Sequence, residues 1–109
     1  GVEAVIEKDL ATAVLARDLG AERVFFLTGI DQVAVGFGTP AQRFVDRLPV
    51  PEALRLLAAG EFAPGSMGPK VEAAVQFIER GGQEAVITSL DRLTEALEGR
   101  AGTHIVAAA

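Results

Sequence analysis

The sequence predicts an α/β fold in which helices pack on a largely buried sheet. Three observations predict it. Short apolar, β-branched runs alternate with runs whose apolar residues fall at helical spacing. Glycine and proline stand between the runs, where the chain must turn. Half of the 109 residues are apolar, carried by Ala, Val, Leu and Ile, with six Phe and no Trp or Tyr. Such a composition suits helices on a buried sheet.

Residues 2–6 are apolar and β-branched and read as a strand. Asp9 then precedes apolar residues at Leu10, Ala13, Val14 and Leu19, close to helical spacing, with Asp9 as N-cap and Gly20 as stop. Residues 23–28 (RVFFLT) form a short apolar run, expected as a buried strand. Residues 29–32 turn the chain and residues 33–35 form a second short strand. Gly36-Phe37-Gly38-Thr39-Pro40 must be a loop. Pro51 suits a first helical position, with Leu54, Leu57 and Ala58 as the inner face and Gly60 as the end. Residues 62–68 are irregular. Pro69 starts the strongest helix, whose apolar stripe is Val71, Ala74, Val75 and Ile78 and whose terminator is Gly81-Gly82. Residues 84–88 (EAVIT) are a strand, Ser89 caps a helix over 90–97, Gly99 closes it, and residues 103–106 are a last strand. There is no internal repeat, low-complexity tract or linker, so the chain is one domain or a fragment of one.

Charge and composition exclude several functions. The net charge of −5 argues against a nucleic-acid or anionic-membrane surface, because both need clustered Lys and Arg. Without Cys there are no disulfides and no thiolate metal sites. No apolar run is long enough to span a bilayer and no basic-then-apolar leader opens the chain, so a cytoplasmic location is expected. The chain opens without Met on a strand already under way, which reads as a fragment or a trimmed chain.

In open α/β sheets ligands bind beyond the carboxyl ends of the strands. Three loops are expected there. The first is Gly65-Ser66-Met67-Gly68-Pro69-Lys70. Its glycines allow close backbone approach, and the helix start offers unpaired N–H groups and partial positive charge. Lys70 adds a full charge where the macrodipole disfavours a cation, and a bound anion would reverse that balance. The spacing is not that of a P-loop. Read alone, the segment fits either a phosphate site or an ordinary Gly-Pro helix start with a solvated Lys. The second loop is Glu7-Lys8-Asp9, in which a Lys between two carboxylates could be aimed at a transferring phosphoryl group or could be a solvated charged turn with Asp9 as a plain cap. The third is Thr28-Gly29-Ile30-Asp31, fit to face a ribose or a base, or to make a plain turn. Phe37 could pack on a base or anchor the core. His104, the single His, suits a structural role in a late apolar strand. Ser66 and Ser89 have no nearby His for a hydrolase triad, and Asp91, Glu95 and Glu98 read as a solvated helix face.

Together these segments resemble carbamate kinases, members of the amino-acid kinase family. The matching stretches are residues 1–19 (GVEAVIEKDLATAVLARDL), 24–38 (VFFLTGIDQVAVGFG), 59–79 and 84–93 (EAVITSLDRL). The run Phe62-x-Pro64-Gly65-Ser66-Met67-Gly68-Pro69-Lys70 with Val71-Glu72-Ala73-Ala74 is the most specific of them. The resemblance implies a three-layer α/β/α sandwich, usually a homodimer, that moves phosphate between ATP and carbamate. Such enzymes mostly make ATP from carbamoyl phosphate and ADP, often at the end of arginine breakdown, with Mg²⁺ accompanying the nucleotide. It implies that residues 1–109 are the C-terminal, nucleotide-binding part. The N-terminal part, with the glycine-rich segments for carbamate and a further active-site lysine, is absent, so the 109 residues alone are expected not to turn over carbamoyl phosphate.

Carried over by motif, Lys8 neutralises charge on the transferring phosphoryl group, Asp9 orients the lysines, and Lys70 binds the terminal phosphate. Thr28, Gly29, Asp31, Phe37, Met67 and Gly68 line the nucleotide pocket, with Val35 touching the base. Glu7 replaces a family Asp, Phe37 a frequent Tyr, and Gln32-Val33-Ala34 a more aromatic stretch. The competing expectations are a nucleotide-binding module without catalysis, or another amino-acid kinase such as an acylglutamate or uridylate kinase; residues 64–74 favour the carbamate branch.

Overall fold

The computed structural model describes residues 2–7, 12–18, 21–36, 38–62 and 67–107. Its strands are β1 (Val2–Glu7), β2 (Thr12–Asp18), β3 (Ala21–Thr28), β4 (Val33–Val35), β5 (Arg43–Val45), β6 (Arg47–Pro49), β7 (Glu84–Ser89) and β8 (Thr103–Val106). Its helices are α1 (Val50–Ala58), α2 (Met67–Glu79) and α3 (Leu93–Leu97), the last preceded by a 3-10 turn at Leu90–Arg92.

Alternation along β3 and β7 divides the molecule into layers. Val24, Phe26, Ala85 and Ile87 face one way and pack with Val50, Ala53 and Leu56 of α1 and Val71, Ala74, Val75 and Ile78 of α2. Phe25, Leu27 and Val86 face the other way and pack with Leu93, Ala96 and Leu97 of α3. Period-2 burial on both faces is what a strand sandwiched between helix layers requires. The result is the expected α/β/α arrangement. The six-stranded sheet has the order β1-β2-β3-β7-β8-β6. It is mixed: β3–β7 and β6–β8 are parallel, and the other pairs are antiparallel. β4 and β5 form a separate two-stranded ribbon.

Several expectations hold. The strands at 2–6, 23–28, 33–35, 84–88 and 103–106 are present, with ends shifted by up to two residues. The stripe on α2 is buried at all four positions. The chain stops expected at Gly60, Gly81 and Gly99 coincide with positive φ angles of 72°, 106° and 79°.

Others are corrected. Residues 12–18 form β2, a strand, where helical spacing had suggested a helix capped by Asp9. All seven of its residues pair with β3. An apolar run this short does not separate helix from strand by period alone, and the open backbone edge of β3 rewards pairing. On α1 the inner face is Val50, Ala53 and Leu56, with Leu57 packed partly buried against the same core as expected, while Leu54 and Ala58 are exposed; the helix opens at Val50, one residue before Pro51. Met67 and Gly68, expected in an irregular stretch before Pro69, already belong to α2, and the Met67 side chain lies in the core. Ser89 makes no capping bond to the turn that follows it, and residues 90–97 split into the 3-10 turn and α3. β5 and β6 were not foreseen, since each is three residues long and lacks an apolar run.

Candidate functional site

The carboxyl ends of three strands share one edge. β3 and β7 run parallel, with Thr28 opposite Ser89. β1 points the same way: Glu7 pairs with Thr12, Thr12 with Leu27, and Leu27 with Thr88. α2 runs from this edge back to the opposite one. Beyond its C-terminus the Gln83 N–H donates to the Glu22 carbonyl at 2.8 Å, at the start of β3. Thirteen helical residues rise about as far as the six residues of β7, roughly 20 Å each. Since α2 packs on β7, its N-terminus lies near the edge where Thr28 and Ser89 end.

A helix leaves its first N–H groups without intrahelical partners and carries a partial positive charge there. No acidic residue stands in the first turn. Lys70 is half-buried there and has no partner among the described residues. Met67 contributes backbone to the edge, because its side chain is 5% exposed and belongs to the core.

Gly68 and Gly29 share an informative property. A Cβ built on either would meet nothing within 4 Å, and neither has a positive φ. The packing does not demand glycine at these two positions. Among the described residues, nothing fills the space beside either.

The Thr28–Asp31 loop is shaped by polar ties. The Ile30 N–H donates to Thr28 Oγ1 at 3.0 Å. Ser89 Oγ donates to Asp31 Oδ1 at 2.5 Å. Arg92 Nε lies 3.7 Å from Asp31 Oδ2, and Arg92 also pairs with Glu95 at 3.1 Å. Just beyond, the Gln32 amide donates to Asp46 Oδ1 at 2.6 Å and to the Gly102 carbonyl at 3.2 Å. The Val33 N–H donates to Thr103 Oγ1 at 2.8 Å, and that hydroxyl donates to the Val45 carbonyl at 2.5 Å.

Of the residues expected at the site, Thr28, Gly29 and Asp31 thus lie together at the carboxyl edge, and the α2 start with Gly68 and Lys70 lies near it. Val35 is buried in β4 and lines a cavity of about 370 Å³ with Gly36, Thr39, Arg43 and Arg55. Lys8, Asp9 and Phe37 lie outside the described residues. Ser89 and Arg92 were missed as neighbours of Asp31. The available signal was polar and charged residues directly after the carboxyl end of a buried strand. Among the described residues no group of three His, Cys, Asp or Glu could hold a metal ion, and no helix is long and apolar enough to cross a membrane.

A larger cavity of about 650 Å³ lies elsewhere, lined by Arg23, Arg47, Glu84, Glu98, Arg100 and His104 among others. Its charges are largely matched internally. Arg23 pairs with Glu84 at 3.5 Å and sits over the Phe25 ring, and Arg100 pairs with Glu98. His104 Nδ1 is 3.0 Å from Glu84 and Nε2 is 2.8 Å from the Ala101 carbonyl. His104 is therefore the satisfied structural histidine that its strand suggested.

This pair makes stability depend on pH. The hydrogen bond to Glu84 is the main cause raising the His104 pKa above 6.5, and the same bond is the main cause lowering Glu84 below 4.5. The His104 contribution is complete below 6.5 and is lost as pH rises through the raised value. The Glu84 contribution is present above 4.5 and is lost as pH falls through the lowered value. Thermal melts across pH should show the pair at full strength between the two. A His104→Gln variant should melt on the order of 5 °C lower in that window and lose the alkaline decline. An identical pH profile in both proteins would refute the assignment.

Comparison with known proteins supplies the context. Residues 1–89 match the model of the amino acid kinase family. The chain is 50% identical over 108 residues to the carbamate kinase of Halobacterium salinarum, covering 99% of this chain and 35% of that protein. It is 48% identical over 106 residues to the carbamate kinase of Thermococcus kodakarensis, covering 97% and 34%. The chain thus spans about a third of the length of these curated relatives. Among solved structures, carbamate kinase from Giardia lamblia bound to AMP-PNP superposes with a TM-score of 0.73 at 37% identity, over 77% of this chain and 27% of that one.

Proposed function

The chain belongs to the amino acid kinase family, and from that premise we propose that it supplies the nucleotide-binding part of a carbamate kinase. In the proposed reaction a terminal phosphate oxygen of ADP attacks the phosphorus of carbamoyl phosphate. The bond from phosphorus to the carbamate oxygen breaks, giving ATP and carbamate. The residues that hold carbamate are assigned to the stretch that the longer relatives carry before the matched third.

The observation that carries this reading is the helix start near the Thr28–Asp31 edge. A partial positive charge and Lys70 meet there with no acidic residue in the first turn and no partner for Lys70 among the described residues, and among those residues nothing lies within 4 Å of a Cβ built on Gly29 or Gly68. Phosphates suit such a position. In phosphoryl transfer, charge spreads over the transferring oxygens, so fixed donors and cations do most of the work. Lys70 and the Met67 and Gly68 amides would hold the nucleotide's terminal phosphate. Thr28 and Gly29 would border its remainder. Lys8 would neutralise the moving phosphoryl group, with Asp9 orienting it. Mg²⁺ accompanying the nucleotide would add positive charge to its phosphates beside that of Lys70. The identity with carbamate kinases and the AMP-PNP bound by one neighbour favour adenine nucleotide and carbamate as substrates.

Calorimetry of the chain with ADP, AMP and adenosine in the presence of Mg²⁺ tests the site. Affinity should fall steeply from ADP to adenosine, because phosphate contacts dominate. Equal affinity for all three, or none for ADP, would overturn the reading.

A further inference from the structure

We infer that Ser89, with Arg92 behind it, is a positioning residue that locks Asp31 and thereby holds the Thr28–Asp31 loop in the shape a nucleotide meets. The inference rests on the nucleotide reading of this edge and adds to it a division of labour that the sequence did not suggest.

The loop has little apolar packing of its own. Ile30 is 42% exposed and Gly29 touches nothing where a side chain would be. Its shape must therefore come from polar ties. Ser89 is well placed to provide one. It is 7% exposed, ends the buried strand β7, and is paired in the ladder with Thr28. From that fixed base its hydroxyl reaches past the end of the ladder to Asp31 at 2.5 Å. The bond carries the rigidity of β7 across to the loop that follows β3.

Asp31 is then held from two sides. One oxygen accepts from Ser89, and the other lies 3.7 Å from Arg92. Its carboxylate acts as a strut for the loop. The Thr28 hydroxyl accepts from the Ile30 N–H and keeps its own proton for another partner. Arg92 has a second effect. An unpaired carboxylate near a polyphosphate would repel it, and Arg92 offsets that charge. Because Arg92 also pairs with Glu95, it is held from α3 while it does so.

The test uses the 109-residue chain and three variants, Ser89→Ala, Ser89→Thr and Asp31→Asn. Hydrogen exchange of the amides at 29–32 should speed up roughly tenfold in Ser89→Ala, with the amides of β3 and β7 unchanged. ADP binding with Mg²⁺ should weaken roughly 5- to 10-fold in Ser89→Ala and recover in Ser89→Thr, which keeps the hydroxyl. Asp31→Asn, which removes the charge that meets both Ser89 and Arg92, should speed exchange at 29–32 at least as much as Ser89→Ala. Loop exchange equal to that of the parent, or faster exchange throughout β7, overturns the latch. Faster loop exchange with unchanged ADP affinity overturns its role in binding. A parent chain that binds no ADP, yet shows the exchange effect, overturns the nucleotide reading and leaves the latch supported.

Discussion

Lys70→Ala should weaken ADP binding roughly 10- to 100-fold and, in the absence of nucleotide, slightly raise the stability of the chain. The two effects have opposite signs for one reason. Lys70 stands in the first turn of α2, where no acidic residue offsets it and no partner among the described residues engages it. A cation there opposes the helix macrodipole, at a cost of about 0.3–1 kcal/mol. Removing it relieves α2. With a phosphate bound, the same cation makes a charge-assisted contact worth about 1.5–3 kcal/mol, and its loss dominates. The core stripe of Val71, Ala74, Val75 and Ile78 is untouched, so the variant should fold. Calorimetry and thermal melting, read together, make the check. An affinity within twofold of the parent would remove Lys70 from the site.

Gly102→Ala should cost about 2–5 kcal/mol of unfolding free energy, a large part of what a domain of this size has. Two penalties combine. Gly102 has a φ of 85°, which costs an L-residue about 1–2 kcal/mol. Its Cβ would also lie 2.9 Å from Val86 Cγ1 and 3.1 Å from the Ile87 carbonyl, and overpacking a buried contact costs about 1–3 kcal/mol. The Gly102 carbonyl accepts from Gln32, so a shift here would also loosen the tie beyond Asp31. Gly60→Ala is the control. Its φ is 72° but nothing lies within 4 Å of the built Cβ, so it should cost only the backbone term, about 1 kcal/mol. Urea unfolding of both variants separates the terms. Equal losses would mean that β7 yields to the added methyl and that close approach is not what requires glycine at 102.

Much of the fold was legible because the signals were local. The stripe on α2 needs only its own spacing, and strands β3, β7 and β8 are apolar runs bounded by turn residues. Where local signals conflicted with pairing, pairing won. Residues 12–18 carry a run that suits either period, and the edge of β3 made it a strand. Ser89 is a sound cap by type, yet a carboxylate from a distant loop took its hydroxyl. At the site, the residue types and their place after strand ends were visible in the Thr28–Asp31 and Met67–Lys70 segments. The roles of Ser89 and Arg92 were not.

By itself, the sequence determined the fold class, the α2 core face, the strands β3, β7 and β8, and the family. Periodicity, turn chemistry and motif spacing are all short-range properties, readable along the chain. Only the tertiary structure decided that Met67 turns its side chain into the core and that Asp31 meets Ser89 and Arg92. Asp31 and Ser89 are 58 residues apart, and no local pattern specifies which of many polar groups will meet once the parallel pairing of β3 and β7 brings their ends side by side.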